Sequence, residues 1–184
     1  MRIIAGLYRS RLLNSVKGHS TRSTMDMVKE ALFTRLGDQI IDKRCLDLFA
    51  GSGSIGLEAI SRGMKEVVFV DGALAAIECI HQNIKSLGCK DQTLVLRMDA
   101  MHALRFLAKK QVPFDFIYID PPYDKVDIPK LLQLIHSSHL LSETGIIVLE
   151  HPASTIIELN EAYGLEKKAV YGTVALSYLR RNHA

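Results

Sequence analysis

Asp120, Pro121, Pro122 and Tyr123 follow directly on the apolar run FDFIYI, and together they could bind and orient an amino group. A strand cannot continue through two prolines, because proline has no N–H to donate to a neighbouring strand. The Asp120 carboxylate and the Pro121 carbonyl thereby become two acceptors for the N–H groups of an exocyclic amine. An amine held in this way directs its lone pair at an electrophile such as a methyl group. A plain β-turn is the alternative interpretation.

The Tyr123 ring offers a flat surface on which a nucleobase could stack after leaving its helix. Such stacking stabilises by roughly 1–3 kcal/mol, against a cost of about a few kcal/mol for extruding the base. The two prolines fix the backbone dihedrals, so the Pro121 carbonyl is held in place before the substrate arrives. Holding the nitrogen and the methyl group in line lowers the barrier by up to about 7–11 kcal/mol.

A glycine-rich segment, Gly51–Gly56, matches G-x-G-x-x-G between a predicted strand and a predicted helix. Asp71 follows twenty residues after Gly51, where an acid could bind ribose hydroxyls. This pattern is typical of dinucleotide binding and on its own favours a nicotinamide dehydrogenase. Asp47, four residues before the first glycine, counts against a dehydrogenase, because an anion is badly placed beside a pyrophosphate. It suits a cationic ligand such as the sulfonium and ammonium of S-adenosylmethionine.

Asp99 follows the third predicted strand, where its carboxylate could accept a hydrogen bond from the exocyclic amine of adenine. With Asp47 and Asp71 it makes three acids that end three successive strands. In open α/β sheets, ligands bind along this edge. Helix capping is the alternative for Asp47 and Asp99. The set favours S-adenosylmethionine over a dinucleotide.

Apolar strands alternate with helices from Arg44 onwards, which predicts a parallel sheet covered on both faces. The predicted strands are 45–49, 66–70, 93–98, 114–119 and 145–150, and the predicted helices between them are 55–62, 73–87, 101–109 and 130–137. Two later runs, Gly164–Tyr171 and Thr173–Leu179, alternate and are joined by Gly172, which indicates an antiparallel hairpin. We predict one doubly wound, mostly parallel, Rossmann-like α/β domain over residues 1–184. Residues 43–184 form its cofactor-binding core.

Residues 1–42 form a basic N-terminal extension in this interpretation. Its first 25 residues contain no acid but five basic residues, namely Arg2, Arg9, Arg11, Lys17 and Arg22. Such a segment suits a phosphate backbone, with a solvated basic surface as the alternative. The pattern predicts two short β-like runs, Arg2–Ala5 and Tyr8–Leu13, then a helix from Ser23-Thr24 that Gly37 ends.

The composition excludes several classes of protein. Charged residues make up 23% of the 184 residues and hydrophobic ones 48%, which is ordinary for a globular domain. No apolar stretch reaches the roughly 20 residues of a membrane span, and Arg9 and Arg11 interrupt any signal-peptide core. We therefore expect a cytoplasmic monomer. The wide spacing of Cys45, Cys79 and Cys89 indicates buried thiols rather than a disulfide or metal site.

The chain resembles the RsmD family, bacterial class I methyltransferases that use S-adenosylmethionine to methylate a guanine N2 amine of small-subunit rRNA. The resemblance is carried by the segments MRIIAG, TRSTMDMVKEALF, LDLFAGSGSIGLEAISRG, IYIDPPY, IIVLEHP and YGTVALSYLR. It implies that the target amine binds at Asp120–Tyr123, and that the extension binds 16S rRNA within the small ribosomal subunit or its assembly intermediate. It further implies a cofactor site formed by Asp47, Phe49, Gly51, Gly53, Asp71, Asp99 and Ala100.

Two residues depart from the family pattern, Ser23 where proline is usual and Met27 where a basic residue is usual. Both bear on RNA contacts rather than on chemistry. Other acceptors stay open, because the Asp-Pro-Pro-Tyr segment serves any exocyclic amine, including adenine or cytosine of DNA or a protein glutamine. A non-catalytic RNA-binding assembly factor is a further alternative. The intact set of acids and glycines counts against it.

Overall fold

The computed structural model describes residues 1–16 and 22–182, and of residues 22–24 it describes the backbone alone. The predicted RNA contacts of Lys17 and of the Arg22 side chain therefore lie outside the described residues. So do any capping contacts of the Ser23 and Thr24 side chains.

A seven-stranded sheet forms the centre of the fold, in the order β3-β2-β1-β4-β5-β7-β6. The first five strands run parallel, and β7 lies antiparallel between β5 and β6. This confirms the predicted doubly wound sheet with its terminal hairpin. The strands are β1 (Arg44–Leu48), β2 (Glu66–Asp71), β3 (Thr93–Arg97), β4 (Phe114–Ile119), β5 (Leu141–Pro152), β6 (Tyr163–Tyr171) and β7 (Val174–Arg181). The helices are α1 (Arg22–Leu36), α2 (Ser54–Ser61), α3 (Leu74–Leu87), α4 (Ala100–Ala108) and α5 (Ile128–Ser137).

Both faces of the sheet are buried, which explains why its parallel strands are continuous apolar runs. Side chains alternate across β4, so Phe116 and Tyr118 pack into a core shared with α1, α2 and α3. Ile117 and Ile119 pack into a second core with α4 and α5. Each such side chain contributes roughly 1.5–3 kcal/mol by leaving water.

The strand order reverses between β1 and β4, and this reversal sets the position of the site. Leu48 of β1 is in register with Val70 of β2 on one side and with Ile119 of β4 on the other. The loops after these strands leave towards opposite faces, which opens a crevice at their carboxyl ends. The glycine-rich loop and the Asp-Pro-Pro-Tyr segment both begin at this crevice.

The N-terminal extension corrects one prediction, because Arg2–Ala5 and Tyr8–Leu13 are not strands. They form a tight hairpin with a single antiparallel bridge between Arg2 and Leu12. Within the hairpin, Ile3 N–H donates to the Arg11 carbonyl at 2.9 Å and Leu13 N–H to the Met1 carbonyl at 2.9 Å. At its tip, Leu7 N–H donates to the Ser61 carbonyl of α2 at 2.7 Å. The extension is therefore attached to α2 rather than to a sheet.

Strand β5 begins at Leu141, four residues earlier than predicted. The polar residues Ser142, Glu143 and Thr144 concealed this start, which pairs Leu141 with Phe114 before a register shift. All three cysteines are buried, as predicted. No helix in the described ranges has the length and apolarity to cross a bilayer.

Candidate active site

A cavity of about 730 Å³ opens at the carboxyl ends of β1 and β4. Its walls also include Met1, Met25 and Lys29, so the N-terminal extension and α1 close it on one side. Each of the first five strands contributes one acidic residue to the lining, at its end or just beyond it. These residues are Asp47, Asp71, Asp99, Asp120 and Glu150.

Asp47 is almost fully buried at the end of β1, with 1% of its surface exposed. Its Oδ2 accepts a hydrogen bond from the Gly56 N–H at 3.0 Å, in the first turn of α2. Burial raises the pKa of Asp47 to about 7, the Gly56 bond opposes this, and the charge of Asp71 adds to it. Among the described residues, no cationic side chain forms an ion pair with Asp47. A cationic ligand would supply the missing charge.

The Asp71 carboxylate holds the glycine-rich loop by a hydrogen bond to its backbone. Its Oδ2 accepts from the Gly51 N–H at 2.9 Å, and its Oδ1 accepts from the Ala73 N–H at 2.9 Å. The carboxylate lines the cavity, and each oxygen keeps a second lone pair for a ligand hydroxyl. The predicted ribose contact and a structural role in the loop are compatible.

The loop itself depends on left-handed backbone positions. Gly51 has φ 57° and Gly53 φ 78°, and Phe49 adopts φ 70° although it is not glycine. Phe49 and Gly51 line the cavity. Gly53 is buried beneath the loop, where an added Cβ would lie 3.2 Å from Ile80 and Phe69, so it shapes the site without facing it. The left-handed Phe49 has no sequence signal and is the kind of backbone outlier that collects at functional sites.

Asp99 and Ala100 form the start of α4, and both line the cavity. The Asp99 side chain caps the helix by accepting from the His102 N–H at 3.1 Å, and it also contacts the His102 ring. These bonds with His102 lower the pKa of Asp99. The capping alternative is therefore realised for Asp99, while its carboxylate remains open to the cavity.

Asp120, Pro121 and Pro122 line the cavity directly after β4. The Asp120 carboxylate is reached by solvent from the cavity, although protein surrounds it on most sides. Burial raises its pKa well above the usual range, and the charges of Glu150 and Asp47 raise it further. A carboxylate of high proton affinity therefore faces the space where an acceptor amine would lie.

Tyr123 attaches the same segment to β5. Its hydroxyl donates to the Glu150 carbonyl at 2.6 Å, and its ring meets His151 edge-on with centroids 6.2 Å apart. The ring is half-buried, and its predicted stacking on a base stays a prediction. His151 is buried, with its ring nitrogens beside the Pro152 carbonyl and the Ser177 hydroxyl, which is a structural arrangement.

A buried cluster that the sequence did not predict joins the extension to α2. Lys29 Nζ donates to the Arg2 carbonyl at 2.6 Å and to Ser54 Oγ at 3.0 Å, and lies 3.5 Å from Glu58. Burial lowers the pKa of Lys29, and the Glu58 charge opposes this. The one available signal was spacing, because Lys29 stands three and four residues before two buried positions of α1.

The described arginines of the extension differ in their surroundings. Arg2 Nε lies 3.5 Å from Asp26, and Arg11 Nη2 donates to the Ser86 carbonyl of α3 at 2.7 Å. Arg9 is exposed. Arg2 and Arg11 thus also hold the extension in place, and Arg9 points into solvent.

Known proteins resemble this chain along nearly its full length. A family model described as "Conserved hypothetical protein 95" matches residues 1–180. A Haemophilus influenzae protein named "Ribosomal RNA small subunit methyltransferase D" is 32% identical over 176 residues, covering 95% of this chain and 91% of its own. The chain belongs to this family. The resemblance to the RsmD family is thereby confirmed.

Two further matches have similar coverage. A Bacillus subtilis protein named "Putative rRNA methyltransferase YlbH" is 40% identical over 184 residues, covering 98% of this chain and 99% of its own. A solved Escherichia coli structure, "Putative methyltransferase yhhF", superposes with a TM-score of 0.86 at 27% identity and covers 99% of this chain and 98% of its own. By family and by fold, the chain is a class I methyltransferase.

Proposed function

We propose that this RsmD-family chain transfers the methyl group of S-adenosylmethionine to the exocyclic N2 amine of a guanine in small-subunit rRNA. One observation carries the proposal. A buried carboxylate suited to a cationic cofactor, Asp47, shares a cavity with the Asp120 and Pro121 acceptors suited to an amine. The rRNA methyltransferase names of the relatives support RNA as the acceptor.

S-adenosylmethionine, when bound, supplies a methyl group on a cationic sulfur. Asp47 would face the positive charge of the cofactor, Asp71 its ribose hydroxyls, and Asp99 its adenine amine. At the other end, Asp120 and the Pro121 carbonyl accept the two N–H groups of the target amine. This draws the lone pair out of conjugation with the guanine ring and aims it at the methyl carbon. The chain's contribution is positioning and fixed charge.

The N-terminal extension is proposed to contact the RNA. Arg2, Arg9, Arg11, Lys17 and Arg22 would face phosphates, and α1 beside the cavity would place the target nucleotide. We propose that 16S rRNA is recognised within the small subunit or its assembly intermediate, by a cytoplasmic monomer. Comparing naked rRNA with particles as substrates tests that part separately.

The deciding experiment measures the product nucleoside. The protein is incubated with tritiated S-adenosylmethionine and small ribosomal subunits from a strain lacking this methylation, and the RNA is digested to nucleosides. We expect labelled N2-methylguanosine, reduced by at least about a hundredfold in Asp120→Ala, because the amine then has no carboxylate acceptor. The matched control is Asp124→Ala, which removes an exposed carboxylate just beyond the cavity segment.

Other results distinguish the alternatives. Label in another exocyclic amine, in RNA, DNA or protein, would keep the mechanism and overturn guanine N2. Absence of label with S-adenosylmethionine still bound would favour the RNA-binding assembly factor.

A further inference from the structure

Two carboxylates lie side by side at the acceptor end of the cavity. Ile119, the last residue of β4, pairs in register with Leu149 of β5, so Asp120 just beyond β4 and Glu150 of β5 each follow this pair directly. Both line the cavity. Glu150 is one of the groups that raise the pKa of Asp120, which places the two charges within interaction range.

Glu150 is held by both ends of the Asp120 segment. The Tyr118 hydroxyl, from β4 two residues before Asp120, donates to the Glu150 side chain. The Tyr123 hydroxyl, three residues after Asp120, donates to the Glu150 backbone carbonyl. Glu150 therefore has a fixed position relative to Asp120 before any substrate binds.

We propose that Glu150 is a positioning residue whose negative charge makes Asp120 the acceptor of the proton that the amine releases after methylation. This inference rests on the proposed function, since it requires an amine as the methyl acceptor. Asp120 would be the catalytic residue that touches the amine. Glu150 acts through it, without touching the reacting atoms.

The proton balance of the reaction requires such an acceptor. The nitrogen lone pair forms the new N–C bond while the C–S bond breaks, and its electron pair returns to sulfur. The nitrogen then carries a positive charge and one proton too many. An N–H bond breaks with its pair staying on nitrogen, and the proton moves to the Asp120 oxygen that already accepts that hydrogen. One proton is released to solvent per turnover when Asp120 ionises again.

The surroundings of the two carboxylates explain why Glu150 carries the charge and Asp120 accepts the proton. Burial raises the pKa of Glu150, and the hydrogen bond from Tyr118 opposes this and favours the ionised form. Asp120 has no such donor among the described residues and lies beside two like charges. The other residues with titratable or charged groups that line the cavity or contact the pair are Met1 with its α-amino group, Asp26, Lys29, Asp47, Asp71, Asp99, Tyr118 and Tyr123.

The first test measures ionisation without cofactor or RNA. The protein is labelled with ¹³C at the carboxyl carbons, and the Asp120 resonance is assigned by its disappearance in Asp120→Asn and titrated by NMR. In Glu150→Gln, we expect the Asp120 midpoint to fall by about one pH unit or more, because a like charge has been removed. The control Glu143→Gln removes an exposed carboxylate at the far end of the same strand and should leave it unchanged. An unchanged midpoint in Glu150→Gln overturns the inference.

The second test measures the rate. The acid limb of kcat/KM for N2-methylguanosine formation should move to lower pH in Glu150→Gln, with kcat at high pH reduced about tenfold and the KM for RNA little changed. If Glu150→Gln does not fold, Tyr118→Phe replaces it, since removing the hydroxyl favours protonated Glu150 and should lower the Asp120 midpoint too. A wild-type protein that makes no N2-methylguanosine would refute the proposed function. Normal product with an unshifted acid limb in the folded variant would refute this inference alone.

Discussion

Asp47 is a single buried carboxylate whose charge must match the charge of the cofactor. Its pKa is raised to about 7 by burial, so below pH 7 it is largely neutral in the free protein. A cationic ligand binds the ionised form, and at acid pH a proton must first leave. We expect the affinity for S-adenosylmethionine to rise by up to about tenfold per pH unit below pH 7. Above about pH 7, the affinity should level off.

Titration calorimetry between pH 5.5 and 8.5 measures this dependence. Asp47→Asn should bind weakly at every pH and lose the slope that Asp47 causes. Asp120→Asn removes a second carboxylate of raised pKa from the same cavity and should keep the slope. A wild-type affinity that is flat across this range would contradict the role given to Asp47.

Two substitutions at Tyr123 distinguish the contribution of its hydroxyl from the contribution of its ring. Tyr123→Phe removes the hydrogen bond to the Glu150 carbonyl and should lower the free energy of unfolding by about 1 kcal/mol, with a modest fall in kcat. Tyr123→Ala removes the proposed stacking surface as well and should raise the KM for RNA by roughly fivefold or more. Urea denaturation and steady-state kinetics measure both. Equal KM values for the two variants would argue against stacking.

Four of the five acids at the strand ends, Asp47, Asp71, Asp99 and Asp120, could be predicted to lie together, because each stands at or just beyond the end of an apolar strand and the ends of parallel strands meet at one edge. The buried pair Lys29 and Glu58 could not, since each belongs to a helix and acquires its role from a contact far away in the chain. The contacts of Glu150 with Tyr118 and Tyr123 were hidden for the same reason. They depend on the register of β4 with β5, which no local pattern records.

At the level of elements, the N-terminal hairpin is bound to α2 by hydrogen bonds. Glu58 of α2 is fully buried and accepts from the Ile4 N–H at 2.8 Å and the Ala5 N–H at 3.0 Å. It also accepts from Arg62 Nε at 2.8 Å and faces Lys29. One carboxylate therefore joins the hairpin, α1 and α2.

Glu58→Ala should destabilise the protein strongly. It leaves the buried Lys29 ammonium without its counter-charge and two backbone donors without an acceptor, which costs about 3–5 kcal/mol in comparable cases. Urea denaturation measures the free energy of unfolding. The control Glu30→Ala, on the exposed side of α1, should change it by less than about 0.5 kcal/mol. If Glu58→Ala lowers the free energy of unfolding by less than about 1 kcal/mol, the cluster does not hold the extension.

The core elements and α1 were predicted closely, and the hairpin at the start of the extension was not. Strands buried on both faces carry their own signal in unbroken apolar runs, so β1, β2 and β4 begin and end within a residue of the expected positions. The hairpin of the extension has apolar residues too, but Gly6 approaches α2 so closely that an added Cβ would lie 1.8 Å from the Ser61 carbonyl oxygen. Its shape is imposed by α2, which local sequence does not show.

On the scale of the whole molecule, the charge of the extension predicts how RNA binding responds to salt. Removing one basic side chain that binds a phosphate should reduce the slope of log affinity against log salt concentration by about one. We expect Arg9→Ala to weaken rRNA binding and to lower this slope by that amount, because Arg9 is exposed on the extension. Filter binding at several salt concentrations measures it. Lys109→Ala, an exposed charge beyond α4, should leave the slope unchanged.

The position of β7 has a consequence for how the protein is made. β7 follows β6 in the chain but lies between β5 and β6 in the sheet. Synthesis delivers the amino-terminal part first, so β6 has no neighbouring strand until residues 174–181 have left the ribosome. Until then β5, which carries Glu150, is an open edge on which another chain could pair. A nascent chain thus covers this edge of the sheet, beside the strand that carries Glu150, only once β7 has been synthesised.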